Sequence, residues 1–566
     1  MKQYAESSLA QLCLYSSLKY KERTAFSMFS GGEVQYHITY LQMGICARQF
    51  ASALKQAGIE KGDKVLLLSE NCPQWPAAYF GIALAGAVSV PLLTGFSHEQ
   101  IQNIKAHCGA RAICVSRNTD KKPAAASERR RYENSGNAYL PFCPEIPVIY
   151  IDSLKESGAS NAEILISVNG VKKQLNLSAV ECDDHYSQKS DDLASIIYTS
   201  GTQGNSKGVM LSSKNLLTSA LTSLTFVKLY PNDRLLSVLP LAHCYECSLG
   251  LIAPIICGSS ITYIDRPPSP SVLLPAFKHV KPTAIITVPL LIEKIYNNAI
   301  APKLRKSKFY NFFLTRPLAA MLAGRKLICE LGGKLRFLGI GGAPLSPSVE
   351  EFLFNARFPY AVGYGLTEAA PLVAGNSPLR FTLKSGIIIP KNIKMRIDQF
   401  VSNKTGEGEI QVQGSNIMAG YFNDEKRTRE TITNDGWLKT GDLGRIDKKG
   451  RLHIIGRLKA IILGPSGENI YPEEIEGLLG SSGLIEESLV YSGKKGELVA
   501  LVRLNEAAQL KQRAKNAAGA IENALEELRT WVNKKLAVFS RLNRIEIKYE
   551  PFEKTPTMKI KRYLYV

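Results

Sequence analysis

The sequence lacks long apolar runs, a cysteine framework, internal repeats and a leader-like start. Its longest apolar run, residues 249–256, is short and contains a glycine, whereas a helix that crosses a bilayer needs about 20 apolar residues. The eleven cysteines are scattered without framework spacing, which favours reduced thiols over a disulfide scaffold. Residues 1–30 mix charges with short apolar pieces and do not resemble a secretory leader. We therefore expect a cytoplasmic protein, at most peripheral on the inner face of the membrane.

The chain also has fewer acidic than basic residues. Lysine and arginine number 70 against 50 aspartates and glutamates, which gives a formal net charge of +20. Such an excess suits nucleic acid, an anionic membrane surface or polyanionic small molecules. No DNA- or RNA-binding signature accompanies the charge. We expect polyanionic small molecules as ligands, keep an anionic membrane as a further candidate, and expect no nucleic acid.

Residues 301–330 form a basic stretch interleaved with aromatic side chains such as Phe309 and Phe312. One interpretation is an amphipathic helical insertion whose basic face is solvated. The other is a contact with a membrane surface, which would let the protein collect a lipid. Both interpretations remain open at this point.

Strand-like and helix-like apolar patterns alternate in the first part of the chain. Residues 65–68 and 88–92 indicate strands on either side of a helix at 75–85. This order is typical of a parallel sheet with crossover helices. With 45% hydrophobic residues, the chain can build large cores.

The later part of the chain changes character twice. Residues 406–423 favour short strands with tight turns, and beyond residue 459 the composition shifts to a smaller unit rich in Lys and Glu. We predict an α/β fold with a large N-terminal domain, residues 1–455, made of parallel-type sheets with helices plus a β-rich subdomain. A small C-terminal α+β domain, residues 459–566, would follow.

Residues 198–209 combine glycines, hydroxyls, amides and a lysine directly after an apolar strand. Glycines let backbone N–H groups approach a phosphate, hydroxyls donate short hydrogen bonds, and the lysine adds charge. The stretch is not the Walker loop, because Lys207 is followed by Gly208 rather than by Ser or Thr. A plain surface turn is the alternative. The candidate phosphate-binding residues are Thr199, Ser200, Gly201, Thr202, Gly204 and Lys207.

Two further segments contain glycines: residues 341–345, which follow a short strand at 337–340, and the strand and turn at residues 361–368. Gly363 and Gly365, on either side of Tyr364, let the backbone approach a flat ring, and the tyrosine face offers stacking for adenine. Thr367 can donate to a phosphate, and Glu368 can hold Mg²⁺ through oxygen. Gly342, Ala343 and Pro344, in the segment 341–345, are further nucleotide-binding candidates.

In this order, these motifs resemble those of the adenylate-forming superfamily of acyl-CoA synthetases, luciferases and peptide-synthetase adenylation domains. The resemblance covers roughly residues 30–566 and favours the long-chain fatty acid–CoA ligases. Gln203, Ser206 and Met558 depart from it, since the family favours Thr, Pro and Gly at these positions. The resemblance extends to four further segments, residues 240–246, 436–442, 454–459 and 553–562.

The resemblance implies a reaction in two steps. A carboxylate attacks the α-phosphate of ATP in the presence of Mg²⁺, which makes an acyl-adenylate and releases pyrophosphate. The thiol of coenzyme A then displaces AMP to give the thioester. A medium- to long-chain fatty acid is the implied acid. The alternatives are a ligase that loads acyl carrier protein, a fatty acyl-AMP ligase, and a catalytically silent lipid- or nucleic-acid-binding protein.

The resemblance also implies roles for single residues. Lys559 would be the adenylation lysine on a mobile C-terminal lid, with Lys459 as the hinge. His243 would line the acyl site, Asp442 would accept the ribose hydroxyls, and Arg457 would contact the nucleotide. The candidate catalytic residues are Lys559, Glu368, Thr199 and His243.

Overall fold

The computed structural model describes most of the chain. The described residues are 4, 6–116, 146–153, 161–168, 171–178, 188–199, 207–306, 316–380, 382–383, 385–402, 406–463, 469–493, 497–505, 508–510, 518–555 and 560–565. Of the segments singled out in the sequence, residues 200–206, residues 307–315 and Lys559 lie outside these ranges. Within the described ranges, no helix is long and apolar enough to cross a membrane.

The largest layer is a thirteen-stranded sheet. From one edge to the other, with strands numbered in chain order, it contains β18 (Lys394–Ser402), β19 (Glu407–Gln413), β21 (Leu438–Ile446), β22 (Arg451–Arg457), β17 (Ile387–Ile388), β16 (Leu372–Gly375), β15 (Tyr360–Gly365), β14 (Phe337–Ile340), β13 (Ala284–Thr287), β11 (Arg234–Leu236), β12 (Ser260–Ile264), β1 (Thr24–Ser30) and β2 (Glu33–Thr39). The pairs from β15 across to β1 are parallel, and those from β18 to β15 are antiparallel. Both the parallel part and the β-rich part of the predicted fold are thus confirmed.

A second sheet has nine strands. In spatial order it contains β20 (Gly420–Tyr421), β10 (Lys207–Ser212), β9 (Leu193–Thr199), β4 (Val88–Leu92), β3 (Lys64–Leu68), β5 (Ala112–Val115), β6 (Val148–Tyr150), β7 (Asn161–Val168) and β8 (Val171–Ser178). Its central pairs, from β9 to β6, are parallel. This parallel centre includes the strand–helix–strand unit that the apolar pattern between residues 65 and 92 predicts.

Helices cover both sheets. The α-helices are α1 (Leu9–Lys19), α2 (Tyr40–Gln56), α3 (Gln74–Leu84), α4 (His98–Cys108), α5 (Ser213–Phe226), α6 (Ala253–Cys257), α7 (Pro270–Val280), α8 (Pro289–Ile295), α9 (Ala301–Lys306), α10 (Arg316–Glu330), α11 (Pro347–Asn355), α12 (Glu425–Thr431), α13 (Pro472–Gly480) and α14 (Ala518–Asn533). Helix α6 continues a π-helix at Glu246–Ile252. Short 3₁₀ turns lie at Thr367–Ala369 and Leu458–Ala460.

Local chemistry explains where these helices begin and end. Thr39 starts α2 because its hydroxyl accepts from the Gln42 N–H at 3.2 Å, and the Gln42 side chain accepts from the Thr39 N–H at 2.8 Å. This reciprocal pair satisfies two N–H groups that a helix start leaves without partners. Gly58 follows the helix at φ 79°, a conformation that glycine adopts without strain. Ser212 and Asn215 form the same pair at the start of α5.

The C-terminal part has a sheet and a core of its own. Three strands, β25 (Ile485–Ser492), β26 (Leu498–Leu504) and β27 (Arg544–Ile547), form the sheet, and a short pair, β23 (Ile462–Leu463) and β24 (Asn469–Ile470), precedes it. Buried side chains from α13, α14 and this sheet form one cluster that includes Ile475, Val490 and Leu525. The predicted domain bounds, 1–455 and 459–566, and the mobility of the second domain stay predictions.

Candidate active site

Neighbouring parallel strands of the large sheet end at one large cavity. Strands β11, β14 and β15 lead at their carboxyl ends into residues 239–243, 341–345 and 366–368, which contribute to the lining. The cavity has a volume of about 3690 Å³. Ligands of α/β sheets bind at the carboxyl ends of the strands, so this cavity is the candidate active site.

Most of the residues singled out in the sequence line this cavity. The lining includes Thr199, Lys207, His243, Gly342, Ala343, Pro344, Gly363, Tyr364, Gly365, Thr367, Glu368, Asp442, Arg457 and Lys459. Ser200, Gly201, Thr202, Gly204 and Lys559 lie outside the described residues. The structure therefore brings together residues that are up to 260 positions apart in the chain, from Thr199 to Lys459. Their individual roles stay predictions.

The candidate phosphate-binding stretch begins and ends on paired strands. Thr199, the last residue of β9, lies opposite Lys207, the first residue of β10, in an antiparallel pair. The two ends of the stretch are thus held side by side at the cavity wall. Burial lowers the pKa of the Lys207 ammonium below its ordinary value, while the charge of Glu368 acts to raise it. A partly desolvated ammonium beside a cavity is well suited to attract an anion.

Glu368 faces the same part of the cavity as Lys207, and Tyr421 links the two. The Tyr421 hydroxyl donates to Glu368 Oε1 at 2.8 Å. Lys207 Nζ lies 3.5 Å from that hydroxyl and 4.9 Å from the centroid of the ring. Tyr421 was not among the residues that the sequence singled out, because its short strand β20 pairs with β10 only in the folded chain.

The carboxylates near the cavity fit a magnesium ion that arrives with a nucleotide. Within the described part of the chain, no group of three or more His, Cys, Asp or Glu side chains could hold a metal ion. Magnesium in nucleotide enzymes is bound through one or two carboxylates plus the substrate phosphates, rather than in an all-protein cage. Glu368, which lines the cavity near Lys207, is a carboxylate of this kind.

A second cluster contains the predicted adenine and ribose contacts. The Tyr364 hydroxyl donates to Asp442 Oδ2 at 2.8 Å, and Arg457 Nε lies 3.3 Å from Asp442 Oδ1. Asp442 and Arg457 are opposite each other on β21 and β22, which explains why residues 15 positions apart meet. Burial, followed by the charge of Asp442, raises the pKa of Tyr364 well above its ordinary value. The hydroxyl therefore stays protonated and orients the carboxylate.

The turn between β15 and β16 requires glycine at position 365. A Cβ atom there would overlap the carbonyl oxygen of Pro371. The same carbonyl accepts from the N–H of Leu366 at 3.0 Å, so the backbone is folded tightly just before Thr367 and Glu368. The close approach that the sequence suggested at this glycine is made to the chain's own backbone.

Asn71 holds the segment that carries His243. Its amide group donates to the Leu239 carbonyl at 2.6 Å and to Ser237 Oγ at 3.1 Å, and its carbonyl oxygen accepts from the Leu241 N–H at 2.8 Å. Asn71 follows β3 of the nine-stranded sheet, whereas Ser237 follows β11 of the thirteen-stranded sheet. It therefore links the two sheets next to His243. No sequence pattern predicts this role, since an Asn in a turn is ordinary.

Lys459 and the chain near Lys559 approach the cavity from the C-terminal side. Lys459 lies on the 3₁₀ turn directly after β22, and its charge acts to lower the pKa of Lys207. Thr555 and Ile560, described residues on either side of Lys559 in the chain, line the cavity. The hinge role of Lys459 and the adenylation role of Lys559 stay predictions.

Comparisons with known proteins identify a family of enzymes that is consistent with the fold and the cavity. Residues 15–422 match the family model described as "AMP-binding enzyme". Long chain acyl-CoA synthetase 6, peroxisomal, of Arabidopsis thaliana is 30% identical over 498 residues, which cover 83% of this chain and 68% of that protein. 4-Coumarate–CoA ligase 3 of Oryza sativa subsp. japonica is 28% identical over 559 residues, which cover 94% of this chain and 87% of that protein.

A solved structure shows the same fold. The O-succinylbenzoate coenzyme A synthetase MenE from Bacillus subtilis, in complex with AMP, aligns with a TM-score of 0.72 and 22% identity, covering 99% of this chain and 98% of that one. The fold is therefore that of the adenylate-forming enzymes. The family match and the Arabidopsis relative go further: the chain belongs to the AMP-binding enzyme family.

Proposed function

We propose that this AMP-binding enzyme is an acid–CoA ligase for a medium- to long-chain fatty acid. It uses ATP and Mg²⁺ to convert the acid to an acyl-adenylate with release of pyrophosphate, and then transfers the acyl group to coenzyme A with release of AMP. The names of its relatives support the ligase class, since they include both a long-chain acyl-CoA synthetase and a 4-coumarate–CoA ligase. Those names do not identify the acid substrate, so the choice of acid is argued from the cavity.

The observation that carries the choice of acid is an apolar floor in the cavity. The floor consists of cavity-lining residues on three adjacent parallel strands: Leu235, Ala284, Ile286, Phe337 and Gly339. Leu235 is opposite Ala284, which is opposite Phe337, and Ile286 is opposite Gly339. Side chains two positions apart on a strand share a face, so these residues form one continuous surface.

An alkyl chain gains free energy on such a surface, about 0.8 kcal/mol for each CH₂ group that leaves water. A phenol such as 4-coumarate would need a hydrogen-bond partner for its hydroxyl, and none of the floor residues has a polar side chain. Gly339 makes room for the ring of Phe337, because a Cβ atom at position 339 would lie 2.9 Å from Phe337 Cζ and would displace this ring of the floor. The floor therefore favours a fatty acid.

The chemistry of the first step depends on bringing two anions together. A carboxylate and the α-phosphate of ATP repel each other during attack, so a cation between them lowers the barrier. Lys559 is proposed for this place, and Thr199 to Lys207 for the β- and γ-phosphates. Mg²⁺ carried by ATP would meet Glu368 and would neutralise phosphate charge there. Removing one preorganised charge of this kind costs on the order of 10²–10³ in rate.

The nucleoside would occupy the second cluster. Asp442 would accept the ribose hydroxyls, with Arg457 beside it, and Tyr364 would stack on adenine next to Gly342, Ala343 and Pro344. His243, on the segment that Asn71 holds, would stand between the nucleotide and the acid. Rotation at Lys459 would then withdraw Lys559 and admit the thiol, a domain movement of a known type.

The decisive experiment separates the two half-reactions. Lys559→Ala is expected to lose ATP–pyrophosphate exchange but to keep thioester formation from supplied acyl-adenylate and coenzyme A. Equal loss of both half-reactions would refute the proposed role of the lysine. The parent enzyme, assayed in parallel, provides the reference for both measurements.

The acid and the acceptor need a second experiment. AMP release is measured with acids of six to eighteen carbons and with 4-coumarate, first with coenzyme A and then with acyl carrier protein. We expect turnover with long acids and coenzyme A. Gly339→Val should lower kcat/KM for the longest acids by about 10-fold or more and spare the short ones. A preference for carrier protein, or a product that stops at the adenylate, would select the alternative ligases. Absence of AMP with every acid would favour a silent binding protein.

Helix α10 supports a contact with an anionic membrane. Leu318 and Leu322 are 56% and 58% exposed and lie four residues apart, so they share a face. Arg325 and Lys326, one turn further on, are also exposed. Exposed leucines beside cations suit the boundary between lipid headgroups and acyl chains. A membrane is also where long fatty acids accumulate.

A further inference from the structure

We propose that two ion pairs, Lys554 with Glu487 and Arg562 with Glu476, position the segment that carries Lys559 for the adenylation step. This inference rests on the proposed role of Lys559. The four residues would act through that lysine. The geometry that points to them lies entirely in the described residues on either side of the lysine.

The described residues on either side of Lys559 pair with each other. Lys554 pairs with Ile560 across an antiparallel bridge, and the N–H of Lys561 donates to the Glu553 carbonyl at 2.9 Å. Residues 553–554 and 560–561 therefore lie side by side and form a paired base. What holds this base in place also holds the two ends of the segment that contains Lys559.

One side of the base is fixed to the C-terminal sheet. The Lys554 ammonium forms an ion pair with Glu487 Oε1. Glu487 lies on β25 and its side chain is only 9% exposed, and Arg503 of the neighbouring strand β26 lies 3.6 Å from its other oxygen. An ion pair with little water around it is held more tightly than an exposed one.

The other side of the base is fixed to helix α13. The Arg562 guanidinium forms an ion pair with Glu476 Oε2, and the other Glu476 oxygen accepts from the Val490 N–H at 2.7 Å. Burial raises the pKa of Glu476 to about 7, and Arg562 is the strongest influence that opposes this rise. Arg562 therefore helps to keep this carboxylate charged, and the carboxylate in turn holds the arginine.

The two attachments differ from ordinary surface pairs in where they lie. They stand five and three positions from Lys559, one on each side, and Arg562 itself lines the cavity with Thr555 and Ile560. A displacement of about 1 Å in a reacting geometry can cost on the order of 10² in rate. Loosening either attachment should therefore affect the step that uses Lys559 far more than the step that does not.

The test measures both half-reactions in the full-length protein. Lys554→Met, which keeps most of the side-chain length and removes the charge, is expected to lower ATP–pyrophosphate exchange by about 10- to 100-fold. Thioester formation from supplied acyl-adenylate should change by less than about 3-fold. Lys554→Arg should retain exchange, and Glu476→Gln should behave like Lys554→Met.

A matched control uses an ion pair on β27, the edge strand opposite β25 in the same sheet. Arg544 Nε lies 2.7 Å from Glu546 Oε1 on β27, and the arginine is 53% exposed. Arg544→Gln should leave both half-reactions unchanged. A loss of exchange in this control would show that any weakening of the C-terminal sheet is sufficient, which would overturn the positioning role.

The combination with Lys559→Ala separates this inference from the proposed function. If Lys554 acts through Lys559, then Lys554→Met should lower the residual exchange of Lys559→Ala no further. Should Lys559→Ala itself retain exchange, the proposed role of the lysine is wrong. If Lys559→Ala loses exchange while Lys554→Met keeps it, or if Lys554→Met lowers both half-reactions equally, the positioning role alone is refuted.

Discussion

Glu246 is a carboxyl in the core, three residues beyond His243, and its protonation should be visible in the stability of the protein. Its Oε1 accepts from Ser237 Oγ at 2.6 Å, whereas its Oε2 is buried and has no hydrogen-bond partner in the described structure. The group packs against Gly250, where a Cβ atom would lie 2.6 Å from the carboxyl carbon. Burial raises the pKa of Glu246 to about 8.

The direction of the pH effect follows from this shift. The unfolded chain releases the Glu246 proton near pH 4.5, whereas the native state retains it to about pH 8. Stability is therefore lost as the pH rises through this window. At about 1.4 kcal/mol per unit of pKa, the full loss is about 5 kcal/mol as an upper limit, because neighbouring groups relax around a buried charge.

The perturbation is Glu246→Gln, which keeps the acceptor for Ser237 and cannot ionise. The melting temperature of the variant minus that of the parent should rise by several degrees between pH 5 and pH 9, as measured by thermal unfolding in the absence of ligands. Glu550→Gln, at an exposed position, serves as the control and should give a difference that does not depend on pH. A constant or falling difference for Glu246→Gln would refute a neutral carboxyl at this site.

Three further predictions concern the nucleotide cluster, the tight turn and the membrane face. Asp442→Asn should raise the KM for ATP by about 10-fold, since an amide lacks the charge of a ribose-binding carboxylate; an unchanged KM contradicts the assignment. Gly365→Ala should lower the melting temperature and abolish AMP binding in calorimetry, because the new methyl overlaps a backbone carbonyl. Gly477→Ala, in open space on a helix, should do neither. Replacing Leu318 and Leu322 together by Gln should weaken sedimentation with anionic vesicles and leave activity on dissolved acid unchanged; equal binding to zwitterionic vesicles would refute the role of charge.

The sequence predicts those parts of the site whose functional groups come from residues that are close together in the chain. Glycines around Tyr364, followed by Thr367 and Glu368, already combine a close backbone approach, a flat ring and oxygen donors within six positions. The alternation of strands and helices between residues 65 and 92 likewise predicts a parallel sheet, and the structure confirms it. Patterns of this kind can be recognised in the sequence because the residues that make them are close together in the chain.

The sequence does not reveal contacts that depend on how distant strands align. Tyr421 meets Lys207 across 214 positions, and Asn71 meets Ser237 across 166, so no local pattern announces either. The apolar floor is hidden for the same reason. Leu235, Ala284 and Phe337 become neighbours only through the register of three parallel strands, and each alone reads as an ordinary core residue.

Strand β20 determines when the edge of the nine-stranded sheet can be completed during synthesis of the chain. This two-residue strand completes the edge of the nine-stranded sheet by pairing with β10, and the N–H of Phe422 donates to the Gly208 carbonyl at 2.8 Å. A nascent chain that has emerged only as far as β10 therefore holds the edge of that sheet unpaired until some 210 further residues have been synthesised. At a translation rate of about 5–20 residues per second, the wait lasts on the order of ten seconds or more. The residues that surround Lys207 are therefore completed late in synthesis. Fragments that end before residue 420 should fail to bind a nucleotide even when their parallel core has folded.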